Sequence, residues 1–131
     1  MNERLVQLED NIAELYRLQS KYTIGDIRND RTKEWALRYG LLESIQIVID
    51  ISCHIVVHNN LGNAETYSDC IQLLADFEYI DRDLEQRLTG MAGLRNILVH
   101  EYVSVDIDRL YNLLNNLGDF RHFVDRIKDS I

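Results

Sequence analysis

The sequence contains no proline and only six glycines among its 131 residues. Proline interrupts a helix because it lacks a backbone N–H, and glycine weakens one because of the freedom that it has in the unfolded chain. A chain poor in both residues can keep long helices unbroken, which predicts an all-α fold with little or no sheet. At this length, with 46% hydrophobic residues, the chain can build one core but not two. We therefore expect one helical domain over residues 1–131.

Cysteine is also scarce, with only Cys53 and Cys70 present. The two form neither a Cys-x-x-Cys pair nor the closely spaced series that is typical of disulfide frameworks and zinc sites. Both fall in apolar helical surroundings, where a free cysteine behaves as a small buried hydrophobic residue. We therefore expect two buried thiols in a reducing cytosol.

Three common catalytic motifs are missing: the glycine-rich phosphate loop, the Gly-x-Ser-x-Gly elbow and the His-Glu-x-x-His pair. Their absence argues against kinases, serine hydrolases and zinc proteases. Basic residues are also few, at 14 against 22 acidic ones, for a net charge of −8. This charge argues against a protein that coats nucleic acid, but a local basic cleft remains possible because charges act within about 10 Å at 0.1 M salt.

The sequence gives no sign of a membrane segment. The N-terminus is charged and lacks the apolar core of a signal peptide. The most apolar run, residues 41–57, is interrupted by Glu43, Asp50 and His54, and we expect it to be too short and too polar to span a bilayer. These features predict a soluble cytoplasmic protein with no membrane partner.

Apolar residues recur at three- and four-residue spacing through most of the chain, which predicts amphipathic helices. Together they are typical of an up-and-down bundle of four or five helices. The predicted helices cover about residues 2–22, residues 31–58 after a cap at Asn29 or Asp30, a short segment that begins at Ser68 or Asp69 and ends near Tyr79, a segment from Asp81 into residues 93–102, and a last segment that begins at Asp106.

The second half of the long predicted helix carries apolar residues on two sides. Such a helix needs burial around nearly its whole circumference. A small bundle can cover one side, so we expect a partner subunit on the other, which predicts a homodimer. The first side comprises Leu41, Leu42, Ile45, Val48, Ile49 and Val56, and the second comprises Ile47, Ile51 and Ile55.

The candidate functional residues are Arg95, Asn96, His100 and Tyr102, set among apolar residues at the end of a predicted helix. Histidine exchanges protons near neutral pH, and arginine offers a planar fork of donors to phosphate oxygens. On an ideal helix Asn96 and His100 share a face, whereas Arg95 and His100 lie about 140° apart. If both act on one phosphate, either the helix deforms or a second copy of the motif supplies the missing partner.

This motif, Arg-Asn, three residues, His, one residue, Tyr, resembles the signature of the HEPN superfamily and most closely its HepT branch. The similarity extends to the flanking residues 91–94 and 103–106. It implies a HEPN-type, homodimeric helical toxin of a toxin–antitoxin pair, whose antitoxin is a minimal nucleotidyltransferase (MNT). It also implies a metal-independent endoribonuclease that needs no cofactor and has a composite cleft at the dimer interface.

The resemblance assigns a role to each motif residue. Arg95, Asn96 and His100 are expected to be catalytic toward RNA, and Tyr102 is expected to accept AMP from the antitoxin, which neutralises the toxin. Glu101 fills a position where small residues are common in the family. Its charge is expected to weaken the binding of a nearby phosphate.

Two other interpretations remain open. In the first, the chain is a non-catalytic interaction module that binds a nucleotidyltransferase and is modified by it. In the second, it is a plain helical bundle in which Asn96 caps a helix, Arg95 pairs with a carboxylate and His100 occupies a hydrogen-bonded pocket.

Asp50, His54 and His58 recur every four residues and would form a ridge along the long helix. A carboxylate and two imidazoles can bind zinc, but three ligands on one helix without a fourth are a weak signal. We expect no metal. The favoured interpretation is that Asp50 and His54 form hydrogen bonds within the bundle or line the dimer cleft, while His58 is solvated.

Overall fold

The computed structural model describes residues 1–100 and 106–131, with His100 described by its backbone alone. Within these ranges the chain is helical and has no strand, which confirms the predicted all-α bundle. The α-helices are α1 (Asn2–Lys21), α2 (Ile24–Arg28), α3 (Arg31–His58), α4 (Tyr67–Asp76), α5 (Arg82–His100), α6 (Ile107–Leu113) and α7 (Leu117–Ile127), with 3₁₀ turns at Leu114–Asn116 and Lys128–Ser130.

The start of α3 follows the prediction. The carboxylate of Asp30 accepts the backbone N–H groups of Thr32 and Lys33, which have no partner inside the helix. Asp106 caps α6 in the same way. The last predicted helix is divided, however, because the 3₁₀ turn at Leu114–Asn116 separates α6 from α7.

The predicted cap of α4 is wrong. Thr66, rather than Ser68 or Asp69, caps the helix by accepting the backbone N–H of Asp69. The Asp69 carboxylate in turn accepts the backbone N–H groups of Glu65 and Thr66, which completes a capping box. These hydrogen bonds hold the pKa of Asp69 below its usual value, and the one from the Glu65 backbone has the largest effect.

Helix α3 lies at the centre of the bundle and packs against α1, α4, α5 and α6. The chain itself covers both apolar sides of its second half, so the inference that a partner subunit must cover one of them is wrong. Its position between several neighbours explains this result. The buried residues of this half include Ile45, Ile47, Val48, Ile49, Ile51, Ile55 and Val56.

By length and composition alone, α3 could cross a membrane, with a mean hydropathy of 1.6 over its most apolar window. The prediction that residues 41–57 are too short and polar to span a bilayer does not extend to the whole helix, Arg31–His58. More than half of that window, 56%, is buried inside the bundle. Packing against the other helices accounts for its apolar character.

An aromatic surface remains open on the first half of α3. Trp35 and Tyr39 are 57% and 65% exposed. With Arg38, Leu42 and Leu98 they line an open groove of about 490 Å³. Leu98 belongs to α5, so this aromatic groove borders the helix that carries the motif.

The two cysteines are joined in a disulfide, so the prediction of free thiols is wrong. Cys53 on α3 and Cys70 on α4 have Cα atoms 5.0 Å apart, a separation that a disulfide can bridge. The expected burial holds for Cys70, which is 4% exposed. Spacing rules miss this pair because the side-by-side packing of two helices, rather than a short sequence motif, brings the thiols together.

Candidate active site

The motif lies on the second half of α5, which continues as α-helix through His100. The helix is therefore not broken between Arg95 and His100, and their directions on a regular helix differ by about 140°. Of the two explanations for a shared phosphate, this geometry favours a second copy of the motif. The His100 side chain, Glu101 and Tyr102 lie outside the described residues.

Three helices together position the guanidinium of Arg95. Its Nε donates a 2.8 Å hydrogen bond to Oε1 of Gln46 on α3. Its Nη1 lies 3.3 Å from Oδ1 of the adjacent Asn96, which accepts a weaker hydrogen bond. Its Cζ lies 5.2 Å from the centroid of the Tyr67 ring, at the start of α4. The side chain is thus fixed on one edge and one face.

The charge of Arg95 is not neutralised by a carboxylate among the residues that the structure describes. Its partner Gln46 is neutral, and Asn96 is exposed within α5 rather than at a helix end. Both observations disagree with the plain-bundle interpretation, in which Arg95 pairs with a carboxylate and Asn96 caps a helix. A half-buried guanidinium with free donors can bind an anion such as phosphate.

Gln46 and Tyr67 also belong to this site, although neither was predicted from the sequence. Gln46 gave a usable signal, because it is an uncharged polar residue inside the most apolar stretch of the longest helix. Tyr67 gave none, since its position depends on how α4 returns across α5.

Asp50 lies one turn beyond Gln46 on α3. Its Oδ1 accepts a 2.8 Å hydrogen bond from Nε2 of Gln46, and its Oδ2 pairs with Arg4 on α1. The favoured interpretation, a hydrogen-bonded Asp50 in the bundle, is confirmed.

The two histidines on the same ridge behave differently from Asp50. His54 and His58 are both exposed, and their rings stack with centroids 5.6 Å apart. Exposure of His58 was predicted, whereas a hydrogen bond of His54 within the bundle is not found in the described part of the chain. No group of three possible metal ligands occurs among the described residues.

A second polar cluster lies between α1 and α3, next to the aromatic groove. The carboxylate of Glu43 accepts the hydroxyl of Tyr39 and the amide N–H groups of Gln7 and Asn11. These hydrogen bonds lower the pKa of Glu43, and the one from Tyr39 has the largest effect. The same contact raises the pKa of Tyr39. This cluster orients one wall of the groove.

Comparison with known proteins identifies the family. The family model described as "Ribonuclease HepT-like" matches residues 8–127. A protein named mRNA nuclease HepT, from Shewanella oneidensis, is 33% identical over 114 residues, which cover 86% of each chain. A protein named tRNA nuclease HepT, from Aphanizomenon flos-aquae, is 30% identical over 66 residues, covering 50% of this chain and 45% of that protein.

The structural comparison agrees. A solved structure of a tri-AMPylated Shewanella oneidensis HEPN toxin, in complex with its MNT antitoxin, superimposes with a TM-score of 0.81 at 30% identity and covers 98% of this chain and 99% of that one. The resemblance drawn from the motif is thereby confirmed over nearly the whole fold. The chain belongs to the HepT-like ribonuclease family of HEPN proteins.

Proposed function

We propose that this protein is the toxin of a HEPN/MNT toxin–antitoxin pair and acts as a metal-independent endoribonuclease. The observation that carries the proposal is the Arg95 guanidinium. Gln46 holds it from one side, no carboxylate among the described residues neutralises it, and it precedes His100 by five residues on one continuous helix. Similarity to nucleases that cut mRNA and tRNA supports RNA as the substrate.

In the proposed reaction, the RNA 2′-hydroxyl attacks the adjacent phosphorus and the bond to the 5′-oxygen breaks. His100 takes the proton from the 2′-hydroxyl and a proton returns to the leaving oxygen. Arg95 stabilises the negative charge that develops on the phosphorane oxygens. Asn96 orients one of these two groups. The steps require neither a metal ion nor a redox cofactor.

The proposed active unit is a homodimer in which Arg95 of one subunit works with His100 of the other. The regular geometry of α5 supports this arrangement, because one helix directs the two side chains about 140° apart. We place the dimer contact at the aromatic groove around Trp35 and Tyr39. An exposed apolar patch of this kind is typical of a protein interface, and Leu98 connects it to the motif helix.

Control of the toxin is proposed to occur at Tyr102, as the acceptor of AMP from a cognate MNT antitoxin. The related Shewanella toxin was solved in a tri-AMPylated form with its antitoxin, which supports the same chemistry here. Each AMP adds a phosphate and a bulky nucleoside close to His100 in sequence, where they would compete with RNA for Arg95. The proposed location is the cytoplasm, where RNA and antitoxin are both present.

The competing proposal is a non-catalytic module whose main event is modification by the antitoxin. The net charge of −8 favours it, because such a surface repels RNA.

The test uses antitoxin-free protein incubated with RNA, with and without EDTA. We expect cleavage that survives EDTA and is abolished by His100→Ala. The control is His58→Ala, at an exposed histidine that ends α3, and this variant should cleave RNA as the wild type does. Arg95→Lys should also be severely impaired, because an ammonium group lacks the planar fork. Cleavage by His100→Ala at the wild-type rate, or loss of wild-type activity in EDTA, would overturn the mechanism.

A further inference from the structure

We propose that Gln46 is a positioning residue for Arg95, and that Asp50 fixes which way the Gln46 amide faces. The inference rests on the proposed function, because it explains the hydrogen bond between Gln46 and Arg95 as a way to orient a catalytic arginine. It concerns Gln46 and Asp50 on α3, which lie outside the motif; among the described residues, Arg95 is the motif residue that they contact.

The contacts form a chain that crosses three helices. Arg95 Nε on α5 donates to Gln46 Oε1 on α3 at 2.8 Å, and Gln46 Nε2 donates to Asp50 Oδ1 at 2.8 Å. Asp50 Oδ2 then pairs with Arg4 on α1. Gln46 and Asp50 are four residues apart, so they are neighbours on the same face of α3.

The direction of these hydrogen bonds follows from the chemistry of Asp50. An ionised carboxylate can only accept hydrogen bonds, so it takes the NH₂ group of Gln46. The carbonyl oxygen of that amide is then left facing Arg95, whose guanidinium can only donate. A reversed amide would set donor against donor at Arg95 and acceptor against acceptor at Asp50.

This arrangement leaves the catalytic donors of Arg95 available. The Nε–H is committed to Gln46, Nη1 has only the weak contact with Asn96, and Nη2 makes no hydrogen bond to any residue that the structure describes. A free arginine side chain samples many rotamers. Fixing it beforehand means that this freedom is not lost when the phosphate reaches its transition state.

The first prediction concerns Gln46→Leu, which removes the acceptor while keeping a good helix former at a half-buried position. We expect kcat to fall by about tenfold with little change in KM, a smaller loss than the roughly 100-fold or greater effect of deleting a direct donor. Gln72→Leu, on the exposed face of α4, is the matched control and should keep wild-type kcat. A purely structural link between α3 and α5 would instead lower Tm and leave the kcat of the folded fraction unchanged.

The second prediction exchanges the amide and the carboxylate between positions 46 and 50. Gln46→Glu alone places two carboxylates side by side, so the contact with Arg95 should be disturbed and the Arg95 Nε–H should exchange faster with solvent. The double variant Gln46→Glu, Asp50→Asn supplies a carboxylate that accepts from both Arg95 and the new amide, so slow Nε–H exchange should return, while the carboxylate beside Arg95 keeps kcat below wild type. A double variant whose Arg95 Nε–H exchanges as fast as in Gln46→Glu would overturn the assigned direction of these bonds.

A third measurement does not depend on RNA cleavage. In wild-type protein the Arg95 Nε–H should exchange slowly with solvent in NMR spectra, and in Gln46→Leu it should exchange faster. Equal exchange rates in the two proteins would overturn the positioning role. A further outcome is that wild-type protein fails to cleave RNA while Nε–H protection still depends on Gln46. In that case the proposed nuclease function would be wrong, and the claim that Gln46 positions Arg95 would remain supported.

Discussion

The ring of Tyr67 lies 5.2 Å from Cζ of Arg95, so the first residue of α4 supplies a flat surface against the motif arginine. A guanidinium over an aromatic ring is attracted by about 0.5–1 kcal/mol at an exposed site. Together with the hydrogen bond to Gln46, this contact keeps Arg95 in one conformation. The position of α4 therefore matters for the site, although α4 carries no motif residue.

Replacing Tyr67 by Leu should lower the rate of RNA cleavage by about two- to fivefold, because the lost attraction is small. Tyr67→Phe keeps the ring and should retain most of the activity. Rates are measured on the same RNA, with Tyr16→Leu on the exposed face of α1 as the control. A Tyr67→Phe variant as slow as Tyr67→Leu would show that the hydroxyl, not the ring, is responsible.

Trp35→Asp should convert the protein from a dimer into a folded monomer, because it places a charge in the proposed contact. Light scattering at micromolar concentration should give twice the chain mass of 15.4 kDa for wild type and the single mass for the variant. Val57→Asp is the control, since Val57 is also exposed but lies 22 residues further along α3, roughly 33 Å away. If the wild-type protein were a monomer, both the proposed dimer and the proposed shared cleft would be wrong.

Co-expression with the cognate nucleotidyltransferase should raise the protein mass by one or more AMP units, and the modified form should not cleave RNA. Tyr102→Phe should abolish the increase because it removes the phenol oxygen, while Tyr16→Phe should leave it unchanged. Intact-protein mass spectrometry measures both. Equal mass gain in Tyr102→Phe would refute the acceptor assignment. Modified Tyr102 in a dimer that never cleaves RNA would favour the interaction-module proposal.

The disulfide should contribute measurably to stability. It closes a segment with a sequence separation of 17, for which the loss of unfolded-chain entropy predicts about 3 kcal/mol. Reduction, or the double variant Cys53→Ser, Cys70→Ser, should therefore lower the free energy of unfolding in urea by up to that amount. An oxidised and a reduced protein that unfold at the same urea concentration would contradict this prediction.

Local patterns predicted the long helices well but missed the short α2. The bounds of α3 follow directly from the sequence, and Asp30 was one of its two candidate caps, since apolar spacing and capping chemistry act over a few residues. Predictions that depended on how helices meet were less successful. The Cys53–Cys70 bond and the complete burial of Ile47 and Ile51 arise from the tertiary packing of α3, which periodicity does not contain.

The candidate site shows the same division. Arg95 and Asn96 could be chosen from residue type and motif spacing. Their surroundings could not, because Gln46 comes from 49 positions earlier in the chain and reaches Arg95 only when α3 and α5 pack together. The sequence also left Asn96 as a possible cap, which its exposed position inside α5 argues against.

The apolar residues on both sides of the second half of α3 are covered within one chain, which separates folding from assembly. Because the core of the described residues is complete without a partner, subunits should dissociate and re-pair without unfolding. Inactive Arg95→Lys and His100→Ala proteins could then be mixed. If each cleft takes these two residues from different subunits, a mixed pair retains one intact cleft and cleavage should reappear; if one subunit supplies both, the mixture stays inactive. The central helix thus makes the protein suitable for subunit complementation.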